Sequence, residues 1–491
     1  MPTEQASSEQ VSFIAWLPDL IYTKGRFERG LALVCDEGGR IARLVSATEF
    51  DEATKFAGEV VRLKNRALLP GLVNAHSHAF QRVIRGRTER RTRSHSRDSF
   101  WTWREMMYSA AARLTPEDVY DAARMAFLEM ALSGITSVGE FHYLHRTPEG
   151  VAYDDPNLLA KEVVRAAREI GLRIALLRVA YARSGSQVAP DARQSRFIEA
   201  EPQTFLKHVA QLRADFARDE TPADNNSAEA LAWVGIAPHS IRAVPLDYLR
   251  EITRFAVAAQ LPTHMHIAEQ PAEVSACLAE HGRTPVALLD TEGLLSERFT
   301  AVHAIHLTPE DVTALAHARA IVCACPTTER NLGDGIVPTD DLFAKGVRVA
   351  LGTDSHTQID LLEDARELEY HLRLQKLERN VLAPDDNDAP AALAARLFDC
   401  ATIEGAQSIG AHESGELVAG QSADFFTVDL DDSSIAGASI DDLLASIVFS
   451  NARTSIREVF VGGKQIVAEG QHQGQGEIIE NFKALQRRLW Q

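Results

Sequence analysis

The stretch NAHSHAF sets His76 and His78 two residues apart at the end of an apolar run. On a strand, residues i and i+2 project to the same side, so both imidazoles reach one cation. Three more residues of ligand type close other short apolar runs: His266 in THMHIAE, His303 in TAVHAIH and Asp354 in ALGTDSH. Imidazoles and a carboxylate gathered at several strand ends make a borderline-soft divalent site, suited best to zinc, with iron or manganese as alternatives. Glu269 follows His266 by three residues. It is placed to lean over an attacking water and carry protons, a task that a ligand of the cation does not perform.

These residues need elements that bring their strand ends together. The middle of the chain repeats a capped amphipathic helix followed by a short apolar strand. Two copies open on Thr-Pro-Glu-Asp, at Thr115 and Thr308, where the hydroxyl caps, the proline suits the first helical position and the acids favour the first turn. Such alternation predicts parallel strands buried on both faces, in an open doubly wound sheet or a closed barrel. Eight candidate strands, near 70–77, 135–141, 172–181, 232–239, 261–267, 299–304, 319–325 and 347–353, favour an α/β (β/α)8 TIM-type barrel, whose active site lies at the C-terminal strand ends. The two chain ends read instead as short β segments, with hairpins around Gly38 and Gly39 and around Gly462 and Gly463, and a closing helix over 478–491. The expected division is 1–67 and 406–491 as the two parts of a small composite β-sandwich domain, with 68–405 as the barrel. The polar stretches 184–200 and 216–229 read as surface loops.

Over 491 residues, 45% hydrophobic and 24% charged, the composition excludes a disordered or collagen-like chain, and the net charge of −18 argues against coating nucleic acid or an anionic membrane. Five scattered cysteines form no framework and fit a reducing compartment; Cys323 and Cys325, in an apolar run, read as core packing. The first residues carry neither a basic nor an apolar leader, and no run of 18 apolar residues occurs, so a cytoplasmic protein without a membrane span is expected. Seven arginines fall between Arg82 and Arg97. Their place after the first barrel strand makes them a loop near the active-site mouth, drawing in dianions or pairing with acidic surface, rather than a nucleic-acid site.

The segments NAHSHAFQR, HIAEQ, AVHAIH and LGTDSH resemble the amidohydrolase superfamily of metal-dependent barrel hydrolases, over nearly the whole chain. The resemblance implies His76, His78, His266 and Asp354 as metal ligands and His303 beside the attacking water, with His306 the weaker candidate for that place. Relatives with two metals bridge them through a fourth-strand lysine; here that strand ends in APHS, which implies one divalent metal per chain, with His239 lining the pocket. Within the superfamily, HAFQR, DSFWTWRE, EFHYLH and APHSIRAV resemble the branch that hydrolyses the formimino group of N-formimidoyl-L-glutamate in histidine degradation. A dianionic substrate needs cationic clamps, for which Arg104 and Arg242 are the candidates, with Gln81 and Tyr143 as neutral hydrogen-bonding partners. Proton transfer falls to Glu269, His303 and Asp354, and a homodimer is implied. The rivals are a deaminase of a purine, pyrimidine or related ring, which would want stacking walls, and an inactive barrel scaffold, which would have lost its metal positions.

Overall fold

A computed structural model describes residues 13–46, 58–90, 100–185, 188–189, 191–219, 231–385 and 389–491. The N-terminal strands are β1 (Phe13–Thr23), β2 (Arg26–Arg29), β3 (Leu31–Cys35), β4 (Ile41–Ser46) and β5 (Gly58–Pro70). One residue beyond β5 the chain enters the barrel, formed by β6 (Leu72–Ser77), β7 (Ile135–His142), β8 (Arg173–Ala180), β9 (Ala232–Pro238), β10 (Thr263–Ile267), β11 (Phe299–His303), β12 (Ile321–Ala324) and β13 (Arg348–Leu351). These eight are hydrogen-bonded in sequence order, every pair parallel. A parallel bridge between Ser77 and Asp354 joins the last strand end to the first. The ring is thus closed by the very segments that carry candidate ligands.

Three strands near the C-terminus, β14 (Phe425–Asp429), β15 (Ile456–Val461) and β16 (Lys464–Val467), join β1 to β5 in one continuous sheet of order β16-β15-β14-β5-β1-β3-β4, with β2 on β1. The composite domain is therefore built from both chain ends. Both expected hairpins form, β3 with β4 and β15 with β16. Its apolar centre is Trp16, edge-on to Phe425 and Phe460 with ring centroids 5.0 and 5.3 Å away. Arg173 at the start of β8 and Asp424 just before β14 fasten it to the barrel by a bidentate pair, Nε to Oδ2 at 2.8 Å, each side chain 1% exposed.

The repeated Thr-Pro-Glu-Asp signals start the helices Pro116–Leu132 and Pro309–Ala318, each with a reciprocal capping box between the threonine and the aspartate three residues on. The closing helix begins earlier than the sequence suggested, at Gln475, and its Arg488 reaches back to Asp118. The first polar stretch differs from the surface loop expected. Within 184–200, Gln194, Arg196, Phe197 and Glu199 are buried, because the buried Arg178 draws the Glu199 carboxylate inward with a bidentate pair, at 2.5 and 3.1 Å. Residues 216–219 complete the helix Pro202–Asp219, and 220–230 lie outside the described residues. No helix of the described residues is long and apolar enough to cross a membrane.

Candidate active site

Four side chains converge at the C-terminal mouth of the barrel. Among the Nε2 atoms of His76, His78 and His266 and Oδ1 of Asp354, five of the six separations lie between 3.2 and 3.4 Å. The centre of a tetrahedron of that edge is about 2.0 Å from each corner, the length of a zinc to nitrogen bond. Tautomers sharpen the point. His78 Nδ1 donates to the Phe141 carbonyl at 2.9 Å and His266 Nδ1 to the His239 carbonyl at 3.1 Å. A carbonyl only accepts, so both Nε2 atoms carry bare lone pairs, and these face each other at 3.3 Å. Only a cation between them turns that repulsion into attraction. Burial first, and then the neighbouring imidazoles, pull His266 well below its ordinary pKa; His76 falls to about 3, mainly through burial, so both rings are neutral and fit for coordination.

The local chain is shaped for this approach. Gly352 has no Cβ to spare: one added there would lie 2.7 Å from Cβ of His76. His303 and Asp354 both have positive φ, 70° and 42°, which turns their side chains off the strand ends at a conformational cost common at functional sites. Beneath the mouth, the Ser77 hydroxyl donates to Glu140 Oε2 at 2.5 Å and meets His356 Nε2 at 3.0 Å, while Glu140 Oε1 takes the Ala79 amide at 2.7 Å. This network fixes the turn that aims His76 and His78. Burial raises the Glu140 carboxyl to about 7 against those hydrogen bonds.

Beside the cluster, His303 Nε2 lies 3.7 Å from Glu269 and 3.9 Å from Asp354 Oδ2, while its Nδ1 meets Glu329 at 3.2 Å. Burial alone would neutralise this ring, but the carboxylates of Glu269, Asp354 and Glu329 outweigh it and hold its pKa well above the usual histidine value. Burial pushes the Glu269 carboxyl upward in turn, against the pull of His303. Each of the two groups thus shifts the other toward its charged form. His306 turns away to the Asp334 carbonyl at 3.1 Å and does not line the cleft.

The cleft above the cluster has a volume of about 620 Å³. His78, His239, His266, Glu269, His303 and Asp354 line one end; Arg104, Arg242, Gln81 and Tyr143 line the remainder with an aromatic wall that includes Trp103, Tyr108, Tyr181 and Phe197. Gln81 donates to the Tyr143 hydroxyl at 2.8 Å and leaves its own Oε1 without a partner. The Arg104 guanidinium sits 4.4 Å over Trp101, and Arg242 is 6.0 Å from the same ring. Neither arginine forms an ion pair among the described residues, and each keeps a buried Nε without a hydrogen-bond partner. Every candidate except His306 thus comes either to the four-residue cluster or to the cleft above it. The described part of the arginine run does not join them: Arg82 and Arg85 pair with Glu129, Arg87 bonds to Gln486, and 91–97 lie outside the described residues.

Several participants went unread in the sequence. Glu329 and Glu273 are carboxylates one turn into helices that follow strand ends, a position that was the available signal. Phe197 reaches the cleft from a loop that Arg178, His208 and Tyr108 hold inward through Glu199 and Gln194. Cys325 packs in the core as expected, just past the end of β12 at Ala324, and its sulfur also lies within 4.8 Å of ligand-type atoms of His303 and Asp354.

A parallel barrel closed at its metal-type cluster, with a composite sheet from both chain ends, defines a class, and the chain belongs to the amidohydrolase family, whose sequence profile matches residues 67–466. It is 38% identical over 417 residues to formimidoylglutamate deiminase of Pseudomonas aeruginosa, covering 85% of this chain and 88% of that one. A crystal structure of an amidohydrolase from Brucella melitensis superposes with a TM-score of 0.86 at 33% identity, covering 98% of this chain and all of that one. A 5-methylthioadenosine/S-adenosylhomocysteine deaminase of Natronomonas pharaonis is 27% identical, covering 82% of this chain and 81% of its own.

Proposed function

We propose that this enzyme hydrolyses the formimino C–N bond of N-formimidoyl-L-glutamate, giving N-formyl-L-glutamate and ammonia. The observation that carries the reading is the pair Arg104 and Arg242, two guanidinium groups lining the cleft with no ion pair among the described residues. A buried cation without a counter-charge is costly, and a substrate bearing two carboxylates removes that cost at both places. A neutral ring would leave both unpaired, although the aromatic wall could stack against one.

His76, His78, His266 and Asp354 would hold one divalent metal, zinc by the chemistry of three imidazoles and a carboxylate. When bound, the metal supplies a Lewis acid that makes water a nucleophile at neutral pH. Arg104 and Arg242 orient the dianion so that its formimino carbon faces Glu269 and His303, with Gln81, Tyr143 and His239 around the carbon chain. Asp354 and His303 share the proton that the attacking water gives up, water adds to the formimino carbon, and Glu269 delivers a proton to the nitrogen that departs as ammonia. The same reading assigns the enzyme a step in histidine degradation, a cytoplasmic setting and a homodimeric state, on the strength of the family resemblance.

The test is charge removal with metal counted in parallel. Losing one partner of a buried charge pair costs roughly 2–5 kcal/mol, which at about 1.36 kcal/mol per decade is a tens- to thousands-fold loss. Arg104→Ala and Arg242→Ala should each lower kcat/KM for N-formimidoyl-L-glutamate by that much while the bound metal stays at the parent's level. Unchanged turnover in both variants would remove the dianion from the site.

A further inference from the structure

Cys325 stands beside two of the residues assigned to proton transfer, and the reaction above gives it no task. It follows β12 by one residue, precedes the helix Pro326–Leu332 and is fully buried. Its sulfur, a ring nitrogen of His303 and a carboxylate oxygen of Asp354 lie within 4.8 Å of one another. Among the described residues the only hydrogen-bond partner of that sulfur is the Cys323 carbonyl, at 4.0 Å. Three different ligand types thus meet next to the first cluster.

Asp354 faces both ways. Its Oδ1 is the oxygen nearest His76 and His78, at 3.4 and 3.2 Å, whereas Oδ2 is the one nearest His303 Nε2, at 3.9 Å. A carboxylate with one oxygen in each of two clusters lets two divalent ions lie side by side, because its charge sits between them. Glu329 fixes the rest of the second cluster. Its Oε1 takes the Cys325 backbone amide at 2.8 Å and meets His303 Nδ1 at 3.2 Å, so one buried oxygen sets the cysteine and the ring relative to each other and leaves Nε2 to face Asp354. An outer hydrogen bond of this kind is what orients an imidazole toward a metal. His303 and Asp354 both line the cleft, which gives an ion a route from solvent.

We infer that Cys325, His303 and Asp354 form a second, weaker site for a soft divalent ion, and that its occupation stops the enzyme. Sulfur combined with imidazole and carboxylate selects zinc or cobalt over magnesium or calcium. The site is weaker than the first because one of its three ligands is shared and because a thiol binds metal as the thiolate, whose formation apolar surroundings oppose. It therefore fills only when metal is abundant. An ion there occupies His303 Nε2 and the second oxygen of Asp354, so neither is free to take the proton of the attacking water, and excess zinc becomes an inhibitor. The inhibition rests on the reaction proposed above; the binding does not.

The experiment titrates enzyme carrying one zinc per chain with cobalt(II) and follows its absorbance. A thiolate-to-cobalt charge-transfer band should grow in the near ultraviolet and saturate at one further ion per chain. Three imidazoles and a carboxylate give no such band, so it reports the second site even where cobalt exchanges into the first. Cys325→Ser should lose the band although Cys35, Cys277, Cys323 and Cys400 remain. In parallel, turnover of the parent should fall as zinc rises above one equivalent. Cys325→Ser and Cys325→Ala should turn over like the parent at one zinc per chain, which shows the first site intact, and should need at least about tenfold more zinc for the same inhibition, the scale that even outer partners of a metal contribute. A parent without the band, or a band and an inhibition that persist unchanged in both cysteine variants, overturns the site. Absence of turnover in the one-zinc parent would contradict the substrate reading instead, and the absorbance titration would still decide on Cys325.

Discussion

In the proposed reaction Glu269 and His303, 3.7 Å apart, carry protons while the four converging residues hold the cation. The division has separable consequences. Glu269→Gln removes a proton carrier and leaves the converging Nε2 and Oδ1 atoms in place, so bound metal should remain at one ion per chain by elemental analysis while kcat falls roughly 10²–10⁴-fold. His76→Ala, by contrast, opens one corner of the tetrahedron and should lose metal and turnover together. Metal loss in Glu269→Gln would move that residue into the ligand set. The converging residues were legible in the sequence because histidines at i and i+2 and at strand ends are few and their geometry follows from the strand itself. Glu329, Glu273 and Glu140 were not: carboxylates are common along the chain, and only the closed barrel decides which of them turn inward.

At the scale of elements, the pair Arg173 and Asp424 links a barrel strand to the composite sheet, and Asp424 also accepts from the Gly462 amide and the Ser414 hydroxyl. Arg173→Ala leaves a buried carboxylate without its cation, so stability should fall by about 3–5 kcal/mol in denaturant unfolding, with the barrel and sheet losing their cooperative transition. The helix Ala392–Cys400 carries a second test of sign. Burial, and then the charges of Glu404 and Glu416, raise the Asp399 carboxyl to about 7 from its ordinary value near 4. A carboxyl raised on folding binds its proton more tightly in the native state, so its contribution to stability is present below about pH 4 and is lost as pH rises through about 7. Asp399→Asn should therefore melt higher than the parent at pH 8 and show no gain at pH 4; equal shifts at both would place the charge of Asp399 outside the energetics. Helices and strands with a clear period were readable from the sequence, capping boxes included. The 184–200 stretch was not, since its burial involves Arg178, a second charged residue in the strand that begins at Arg173, whose partner lies 21 positions on.

Across the whole molecule, a chain of net charge −18 gathers in one cleft two guanidinium groups without an ion pair among the described residues and a cluster of metal-ligand type. The concentration of positive charge in an acidic protein is what a small dianion requires, and it sets this cleft apart from one built only to stack a ring. The relatives span both chemistries, a formimidoylglutamate deiminase at 38% identity and a 5-methylthioadenosine/S-adenosylhomocysteine deaminase at 27%, so fold and metal cluster alone do not choose between them. The proposed reading rests that choice on Arg104 and Arg242. The most direct test presents the zinc-loaded enzyme with equal concentrations of N-formimidoyl-L-glutamate and 5-methylthioadenosine and follows ammonia release with the products identified by mass. The expected result is N-formyl-L-glutamate and ammonia in equal amounts with the nucleoside untouched; deamination of the nucleoside, or no ammonia from the formimino compound, would contradict the account.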